Sequence, residues 1–444
     1  MRQAKQLIRS KTLMAERTGL EPAISCVTGR RINQLCYRSI FANPKNFLQG
    51  ATEINIFFFQ KQANLLYTAG MKIGIDCRIF SSKFTGIGRY ANELVNHFIE
   101  INGKLDKPHQ LVLFFNNPEY HEFKTITPVK KVLVNAKHYS FNEQLHFWLK
   151  LRKEKCDVVH FPHFNVPILY RKPYVVTIHD LTLSLFPGHK MTKWYHRLAY
   201  HLTIRNAVKT AKKIITVSEN TRDDILDHLH PEEKKIEVIY NGLNPEFHLI
   251  TDTEKFKPTL NKYNITKQFI LYAGVWRNHK NLPRLIKAFD ILKNEKNLDL
   301  QLVITGKPDP HYPEVKATVK ALSLQDDVVF TNLISEDELI YLYNAALIFA
   351  FPSLYEGFGL PPLESMACGT PVVASKRSSI PEICGQDNAI FFDPENTQEI
   401  AEKIWELYKD ADLQAELIEK GKNRATQFSW EKTAKETFKL ITNV

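Results

Sequence analysis

Two glutamates eight positions apart, Glu356 and Glu364, enclose the glycine- and proline-rich stretch "EGFGLPPLE". The run "PPLESMACG" predicts a short helix, because proline suits the first turn of a helix and Gly369 suits the position after its last turn. Backbone N–H groups at the start of such a helix favour phosphate, and carboxylates accept hydrogen bonds from sugar hydroxyls. The stretch therefore predicts a site for a sugar, a diphosphate and a ribose in line, the parts of a nucleotide sugar.

The elements around this stretch follow an α/β pattern from Met71 onward. Short apolar runs alternate with helical patterns, which predicts parallel sheets covered on both faces. The predicted strands are "KIGID", "QLVLFF", "KVLVN", "VVHF", "YVVTIHD", "KIITVS" and "IEVIY", followed by "FILYAG", "LQLVITG", "VVFTN", "LIFAFPS", "PVVAS" and "AIFFD". Helices are predicted at about 89–101, 141–154, 192–210, 219–229, 282–294, 313–322, 335–344, 361–368 and 397–410.

The segment "NGLNPEFHLITDTEKF" separates two halves of this pattern, because Asn, Gly and Pro cluster there and the periodicity stops. We therefore expect an α/β fold with two Rossmann-like domains, 71–247 and 248–444, facing each other across a cleft, with the last helix packing back on the first domain. Residues 1–70 show little periodicity and resemble the front of over-extended bacterial gene predictions. We expect a spurious or disordered extension there, and a genuine basic tail is the alternative.

Composition narrows the class of protein. The chain of 444 residues has a net charge of +11, which favours acidic partners such as nucleotides or lipid headgroups. Its six cysteines are scattered without metal-ligand or disulfide spacing, which fits a reducing, cytoplasmic compartment. No apolar run is long enough to span a membrane.

The quoted loop resembles the E-x7-E motif of retaining glycosyltransferases of family 4, which have the GT-B fold. The likeness extends over nearly all of the chain from Met71 and includes "GIGRY", "TIHD", "VSENTRDDI", "VIYNGL", "HKNLPRLIKAF" and "FSWEKTA". Within the family, the sequence is most similar to bacterial mannosyltransferases of surface-polysaccharide synthesis.

The resemblance implies roles for residues of the second half. Glu356 would contact the reacting sugar and Glu364 the ribose, while Lys280 and Arg277 would hold the diphosphate and stabilise the leaving charge. Many relatives carry an arginine directly after the glycine of "GVWRNHKN", where this chain has Val275. Backbone contacts to the sugar and phosphates would come from Gly357, Phe358, Gly359 and Leu360.

The first half supplies the facing residues. Gly86 and Gly88 of "TGIGRY" are expected beside the donor phosphates, and His179 is implied to face the donor sugar. Possible acceptor-side residues are Asp180, His160, His163 and Arg89. Arg89 alternatively covers the helix surface, and the two histidines alternatively have structural roles. Ser218 and Glu219 match "VSE" of the family, and Ser218 either caps a helix or contacts a ligand.

A metal-independent reaction without a cofactor is expected, because the basic region of Arg277 and Lys280 can replace a divalent cation. The family retains anomeric configuration, so a same-face attack is consistent with these residues. The departing phosphate would then take the proton of the acceptor hydroxyl.

A basic, aromatic-rich segment between Leu181 and Ser218 contains no Asp or Glu. Its basic residues are Lys190, Lys193, Arg197, Arg205, Lys209, Lys212 and Lys213, interleaved with Met191, Trp194, Tyr195 and Tyr200. Such a helix can lie on an anionic membrane, and an ordinary packed helix with a solvated basic face is the alternative. No nucleic-acid-binding motif accompanies these charges, so we expect no nucleic-acid partner.

We therefore expect a transferase that moves a sugar, mannose from GDP-mannose, onto a glycan or lipid-linked glycan. It would act in the cytoplasm or on the inner face of the cytoplasmic membrane. The alternatives are another GT-B enzyme that uses UDP-glucose or UDP-GlcNAc, and a nucleotide-sugar-binding assembly protein without turnover.

Overall fold

The computed structural model describes residues 70–80, 86–136, 140, 142–188 and 194–444. All of them belong to one compact unit, Ala69–Val444. The expected N-terminal extension, residues 1–70, lies outside the described residues except for Gly70.

The first half is a seven-stranded parallel sheet in the order β3-β2-β1-β4-β5-β6-β7. Its strands are β1 (Lys72–Asp76), β2 (Gln110–Phe115), β3 (Lys130–Leu133), β4 (Val158–Phe161), β5 (Tyr174–Ile178), β6 (Lys213–Thr216) and β7 (Ile236–Val238). Strands β4 and β5 are buried along their whole length. They therefore read as continuous apolar runs, as expected for parallel strands covered on both faces.

Helices of the first half connect these strands. They are α1 (Gly86–Gly103), α2 (Glu119–Glu122), α3 (Trp148–Glu154), α4 (Thr182–Leu185), α5 (Trp194–Thr210) and α6 (Glu219–Leu229). One π-helical turn, Glu143–Phe147, leads into α3. On α1, Tyr90, Leu94 and Phe98 recur every four residues and are buried, so this face of the helix packs on the sheet.

The second half is a six-stranded parallel sheet in the order β10-β9-β8-β11-β12-β13. Its strands are β8 (Phe269–Ala273), β9 (Gln301–Thr305), β10 (Val328–Asn332), β11 (Ile348–Phe351), β12 (Val372–Ser375) and β13 (Ile390–Phe392). Its helices are α7 (Lys257–Lys262), α8 (Leu282–Asn294), α9 (Glu314–Ala321), α10 (Glu336–Ala345), α11 (Leu360–Ala367), α12 (Ile380–Cys384), α13 (Thr397–Tyr408) and α14 (Ala411–Ala425). The sequence analysis did not predict α7, α12 and α14, nor the short helices α2 and α4 of the first half.

The helix α15 (Trp430–Thr442) follows the second half but packs on α1 of the first half. Its buried residues Trp430, Ala434 and Phe438 join the core formed by β1, β2 and α1. The chain crosses between the halves at two adjacent places, because Leu243 forms a parallel bridge with Ser429. The predicted α/β class with two parallel sheets is confirmed.

Candidate active site

Each sheet reverses its strand order at one point, and ligands of such sheets bind at the carboxyl ends of the strands there. In the second sheet the reversal lies between β8 and β11. The chain leaving β8 reaches Lys280, and the chain leaving β11 reaches Glu356. The fold therefore brings together two predicted site residues that are 76 positions apart in sequence.

Lys280 and Glu356 form an ion pair. The ammonium Nζ of Lys280 lies 2.6 Å from Oε1 and 2.7 Å from Oε2 of Glu356. Both side chains are mostly buried, with 14% and 12% of their surface exposed. An ion pair with this little solvent contact is held more firmly than a surface pair. It places a cation beside a carboxylate at the switch point, where a diphosphate and a sugar could be bound together.

The two glycines of the loop have different reasons to be glycine. A side chain on Gly357 would place its first carbon 2.0 Å from the carbonyl oxygen of His179, so the loop touches the first half there. Gly359 has a φ of 101°, a conformation that favours glycine. No described atom lies within 4 Å of the position that its Cβ would occupy. The backbone before α11 is therefore open to a ligand.

Serines from both halves fix this loop. Ser218 caps α6 by accepting the N–H of Thr221, and its Oγ donates to the carbonyl of Gly357 at 2.6 Å. Ser378 donates to the carbonyl of Glu356 at 2.6 Å, and Ser379 donates to that of Phe358 at 2.8 Å. The carbonyl groups are thus held by protein. Helix capping, one of the two interpretations of Ser218, is present together with a contact to the loop.

His179 lies across from the loop, after β5. Its Nε2 is 2.8 Å from the carbonyl oxygen of Pro162, so Nε2 carries a proton and Nδ1 is left as the acceptor in the neutral ring. Burial lowers the pKa of His179, which favours this neutral form. Its neighbour Asp180 accepts the N–H of Thr182 at 2.8 Å, which starts α4.

Glu364 is 6% exposed and lies inside α11, after its first residue Leu360. Its Oε2 accepts the hydroxyl of Tyr343 at 3.0 Å. Its Oε1 lies 3.3 Å from Arg89, which also pairs with Glu336 at 3.0 Å. Arg89 therefore reaches from α1 to the second half and occupies the carboxylate that the sequence analysis assigned to the ribose.

Arg277 does not take part in the Lys280–Glu356 ion pair. Among the described residues, none forms a hydrogen bond or ion pair with its side chain. Together with His279 and Tyr312 it lines a cavity of about 280 Å³, whose opposite wall is the segment 182–188 of the first half. Burial lowers the pKa of His279 to about 4, so the positive charge in this wall comes from Arg277.

The remaining predicted residues lie at varying depth. His160 is fully buried, bonds to Thr177 at 3.0 Å, and has its pKa lowered to about 3 by burial. It therefore lies beneath the cleft in this structure and does not line it. His163 is half-buried against Phe164. Gly86 starts α1 on its exposed side, whereas Gly88 is buried.

Phe358 and Leu360 of the loop differ in the burial of their side chains. Phe358 is 5% exposed, and its ring packs against Phe428. Leu360 is the first residue of α11 and is half-buried. The backbone contacts to the donor expected from these two residues stay a prediction.

Sequence reasoning missed Tyr355, which joins the halves beside the site. Its hydroxyl donates to Asp224 at 2.7 Å and accepts the N–H of Leu181 at 3.1 Å. It also missed Tyr343 and the serine pair Ser378 and Ser379. Tyr355 directly precedes Glu356, and this adjacency was the one available signal.

The described residues contain no group of three or more His, Cys, Asp or Glu side chains arranged to hold a metal ion. None of the described helices is long and apolar enough to cross a bilayer.

The sequence and structure are similar to those of known proteins. Residues 84–247 match the family model "Glycosyltransferase Family 4", and residues 252–424 match "Glycosyl transferases group 1". The O-antigen chain mannosyltransferase B of Escherichia coli is 30% identical over 299 residues, covering 66% of this chain and 76% of that protein.

Solved structures share the architecture at low sequence identity. Sucrose-phosphate synthase from Thermosynechococcus elongatus superposes with a TM-score of 0.67 and 18% identity, over 83% of this chain and 98% of that one. Anabaena HepE in complex with UDP-glucose has a TM-score of 0.64 and 17% identity, over 84% of this chain and all of that one. The fold is that of the GT-B glycosyltransferases. The chain belongs to the family 4 glycosyltransferases, as the resemblance implied.

Proposed function

We propose that this glycosyltransferase moves mannose from GDP-mannose to a glycan or lipid-linked glycan of a cell-surface polysaccharide, with retention of anomeric configuration. The donor sugar is suggested by the similarity to an O-antigen mannosyltransferase. The observation that carries the proposal is the Lys280–Glu356 pair at the switch point, beside the open backbone of Gly359.

The residues divide the work of binding the donor. Glu356 accepts hydroxyls of the sugar, and Lys280 turns from Glu356 to the diphosphate as it gains charge. Backbone N–H groups at the start of α11 face the phosphates. Glu364 accepts the ribose hydroxyls after Arg89 yields its position. Lys280 supplies the positive charge that a divalent cation would otherwise supply, so we propose that transfer needs no metal or other cofactor.

Transfer then takes place on one face of the sugar. The acceptor oxygen bonds to the anomeric carbon as the bond from that carbon to the diphosphate oxygen breaks. The acceptor proton passes to the leaving phosphate, so neither Glu356 nor His179 forms a covalent bond. His179, neutral and fixed by Pro162, orients the sugar from the first half.

Two alternatives remain distinct in outcome. In the first alternative the donor is a UDP-sugar. The similar structure of HepE was solved in complex with UDP-glucose. A nucleotide-sugar-binding assembly protein would bind a donor without turnover.

We further propose that the protein binds the inner face of the cytoplasmic membrane through α5. Trp194, Leu198 and Leu202 are four residues apart, lie on one face, and are 72%, 49% and 53% exposed. Arg205 and Lys209 follow on the same helix and are exposed. Tyr200 is 5% exposed, so this aromatic residue packs inward, contrary to its inclusion in the membrane face. Lys190, Met191 and Lys193 lie outside the described residues.

A donor screen on the full chain tests the proposal. Thermal shift and slow hydrolysis would be measured with GDP-mannose, UDP-glucose and UDP-GlcNAc, with and without EDTA. We expect selective, EDTA-insensitive hydrolysis of GDP-mannose. Lys280→Ala and Glu356→Ala should each lower it at least about a hundredfold, because each removes a group that acts on the developing charge or the sugar.

Exposed residues of the same half provide matched controls. Lys316→Ala and Glu402→Ala remove the same charges from α9 and α13 and should leave hydrolysis unchanged. Selective hydrolysis of a UDP-sugar would show that the donor is that UDP-sugar and not GDP-mannose. Tight binding of a donor without turnover under any condition would show that the protein is a binding protein and not an enzyme.

A further inference from the structure

The cavity between segment 182–188 and the turn 277–279 has no role in donor binding as described above. It is formed by both halves of the protein. His279 in its wall directly precedes Lys280, so the cavity adjoins the ion pair along the chain. Glu364, the residue proposed to bind the ribose, does not line the cavity.

The walls of this cavity suit a sugar ring. Phe186 projects between the rings of Tyr355 and His279, with centroid distances of 5.9 and 6.1 Å. From the second half, the hydroxyl of Tyr312 comes within 2.9 Å of the position that a Cβ would take on Gly188. Amphipathic aromatic rings offer an apolar face and a polar edge to one ligand. At about 280 Å³ the cavity is slightly smaller than the usual range of ligand sites, about 300–1,000 Å³, so it suits a single ring.

The charge of this cavity is positive. The guanidinium of Arg277 lines it and, among the described residues, has neither a hydrogen-bonding nor an ion-pairing partner. Lys280, three residues on, is fully engaged with Glu356. A guanidinium binds phosphate oxygens in a bidentate manner, so an unpartnered arginine in a cavity wall favours a phosphorylated ligand.

The cavity is also linked to the proposed membrane face. Ser184, in the segment that forms one wall, lies 2.9 Å from the hydroxyl of Tyr200 on α5. Leu185 of the same segment is 38% exposed. One wall of the cavity therefore contacts the inward side of the helix whose exposed side carries the proposed membrane face.

We infer that this cavity is the acceptor subsite and that it takes a sugar carrying an adjacent phosphate or diphosphate, with the ring against Phe186 and the anion at Arg277. This inference rests on the proposed function and reassigns Arg277 from the donor diphosphate to the acceptor. The shared chemistry is a diphosphate, and the two sources are distinguished by separate titrations.

The test is isothermal titration of the full chain in two arms. The first arm uses GDP or UDP alone. The second arm uses mannosyl octyl diphosphate and the uncharged octyl mannoside, each added to protein saturated with the preferred nucleotide. We expect the diphosphate probe to bind at least about tenfold tighter than the uncharged one. Arg277→Gln should remove that advantage and leave nucleotide affinity within about twofold.

Further variants make the result specific. Lys280→Gln should instead weaken the nucleotide, and Phe186→Leu should weaken both mannosyl probes. Arg277→Lys keeps the charge and should retain part of the advantage, and Lys316→Gln is the control for loss of a distant charge. All variants would first be shown to unfold at the wild-type temperature.

Two results would overturn the inference. Arg277→Gln could weaken the nucleotide as much as Lys280→Gln does, which would return Arg277 to the donor. The wild-type protein could bind the two mannosyl probes equally or not at all. Failure of the proposed function gives a different result, since no nucleoside diphosphate would then bind in the first arm.

Discussion

At the scale of single residues, both carboxylates of the site are paired with cations. Glu356 is paired with Lys280, and Glu364 with Arg89. Burial of an unpaired carboxylate is costly, so each cation stabilises the carboxylate beside it. The donor has to replace these contacts, and its hydroxyls and phosphates are chemically suited to do so.

The Arg89–Glu364 pair has a pH-dependent consequence. Burial raises the pKa of Glu364, while Arg89 and the Tyr343 hydrogen bond lower it. Arg89→Met should raise that pKa further. A carboxyl with a raised folded-state pKa contributes least stability above that pKa, and most below its unfolded value of about 4.3. We expect the variant to lose about 1–3 kcal/mol at pH 7.5 and less near pH 5, measured by thermal unfolding.

The double variant Arg89→Met/Glu364→Gln is the matched control. It removes the titrating group, so the additional loss at pH 7.5 should disappear. An equal loss in the single variant at both pH values would show that Arg89 acts through packing or through Glu336.

At the scale of elements, α6 of the first half is joined to α12 of the second half. Glu382 accepts the backbone N–H groups of Glu219 at 2.7 Å and Asn220 at 3.1 Å. A carboxylate at the positive end of a helix is favourable. Asn220 also donates to Ser378, which holds the carbonyl of Glu356. The joint therefore connects the alignment of the halves to the loop that carries the site.

Removing this joint should affect turnover more than nucleotide binding. Glu382→Ala is expected to lower kcat for donor hydrolysis about tenfold, because His179 and Glu356 then lose their relative alignment. GDP affinity should stay within about twofold, since the nucleotide contacts proposed above are made by the second half.

Asp410→Ala provides the comparison for this variant. Asp410 caps α14 within the second half by accepting the N–H of Leu413. Its loss should cost about 1 kcal/mol of stability and leave kcat unchanged. Equal effects of both variants on kcat would mean that Glu382 matters only for stability.

The elements of the fold were largely predictable, and their long-range contacts were not. Strands such as β5 and β8 are continuous apolar runs, and "EGFGLPPLE" carries its own turn and helix signals, so local sequence was sufficient. The partners Arg89 and Glu364 are 275 positions apart, and nothing local to either residue indicates the other. His160 ends a strand as a site residue would, but its side chain points into the core.

At the scale of the whole molecule, α5 gives the surface one face with exposed apolar and basic residues together. Such a face binds anionic membranes through apolar burial and charge attraction. Salt screens the charge attraction between the protein and the membrane. Membrane binding should therefore be weaker at about 1 M salt, where the Debye length is about 3 Å, than at low salt.

Vesicle flotation measures this binding. Full-length protein should float with vesicles of phosphatidylcholine and phosphatidylglycerol, and less with phosphatidylcholine alone. Trp194→Ser/Leu198→Ser and Arg205→Gln/Lys209→Gln should each lower binding about fivefold or more. Ile126→Ser, an exposed apolar residue of the same half at 85%, should have no effect. Equal flotation with both lipid compositions would argue against the proposed face.

The packing of α15 on α1 has a consequence for synthesis on the ribosome. Strands β1 to β7 are complete at Val238, but Trp430 and Phe438, which cover part of their core, are made about 190 residues later. At about 5–20 residues per second, the first half waits about 10–40 s for this cover. During that interval the side of Phe98 and its neighbours that later packs on α15 is left without its cover. We therefore expect ribosome-associated chaperones to bind the nascent chain.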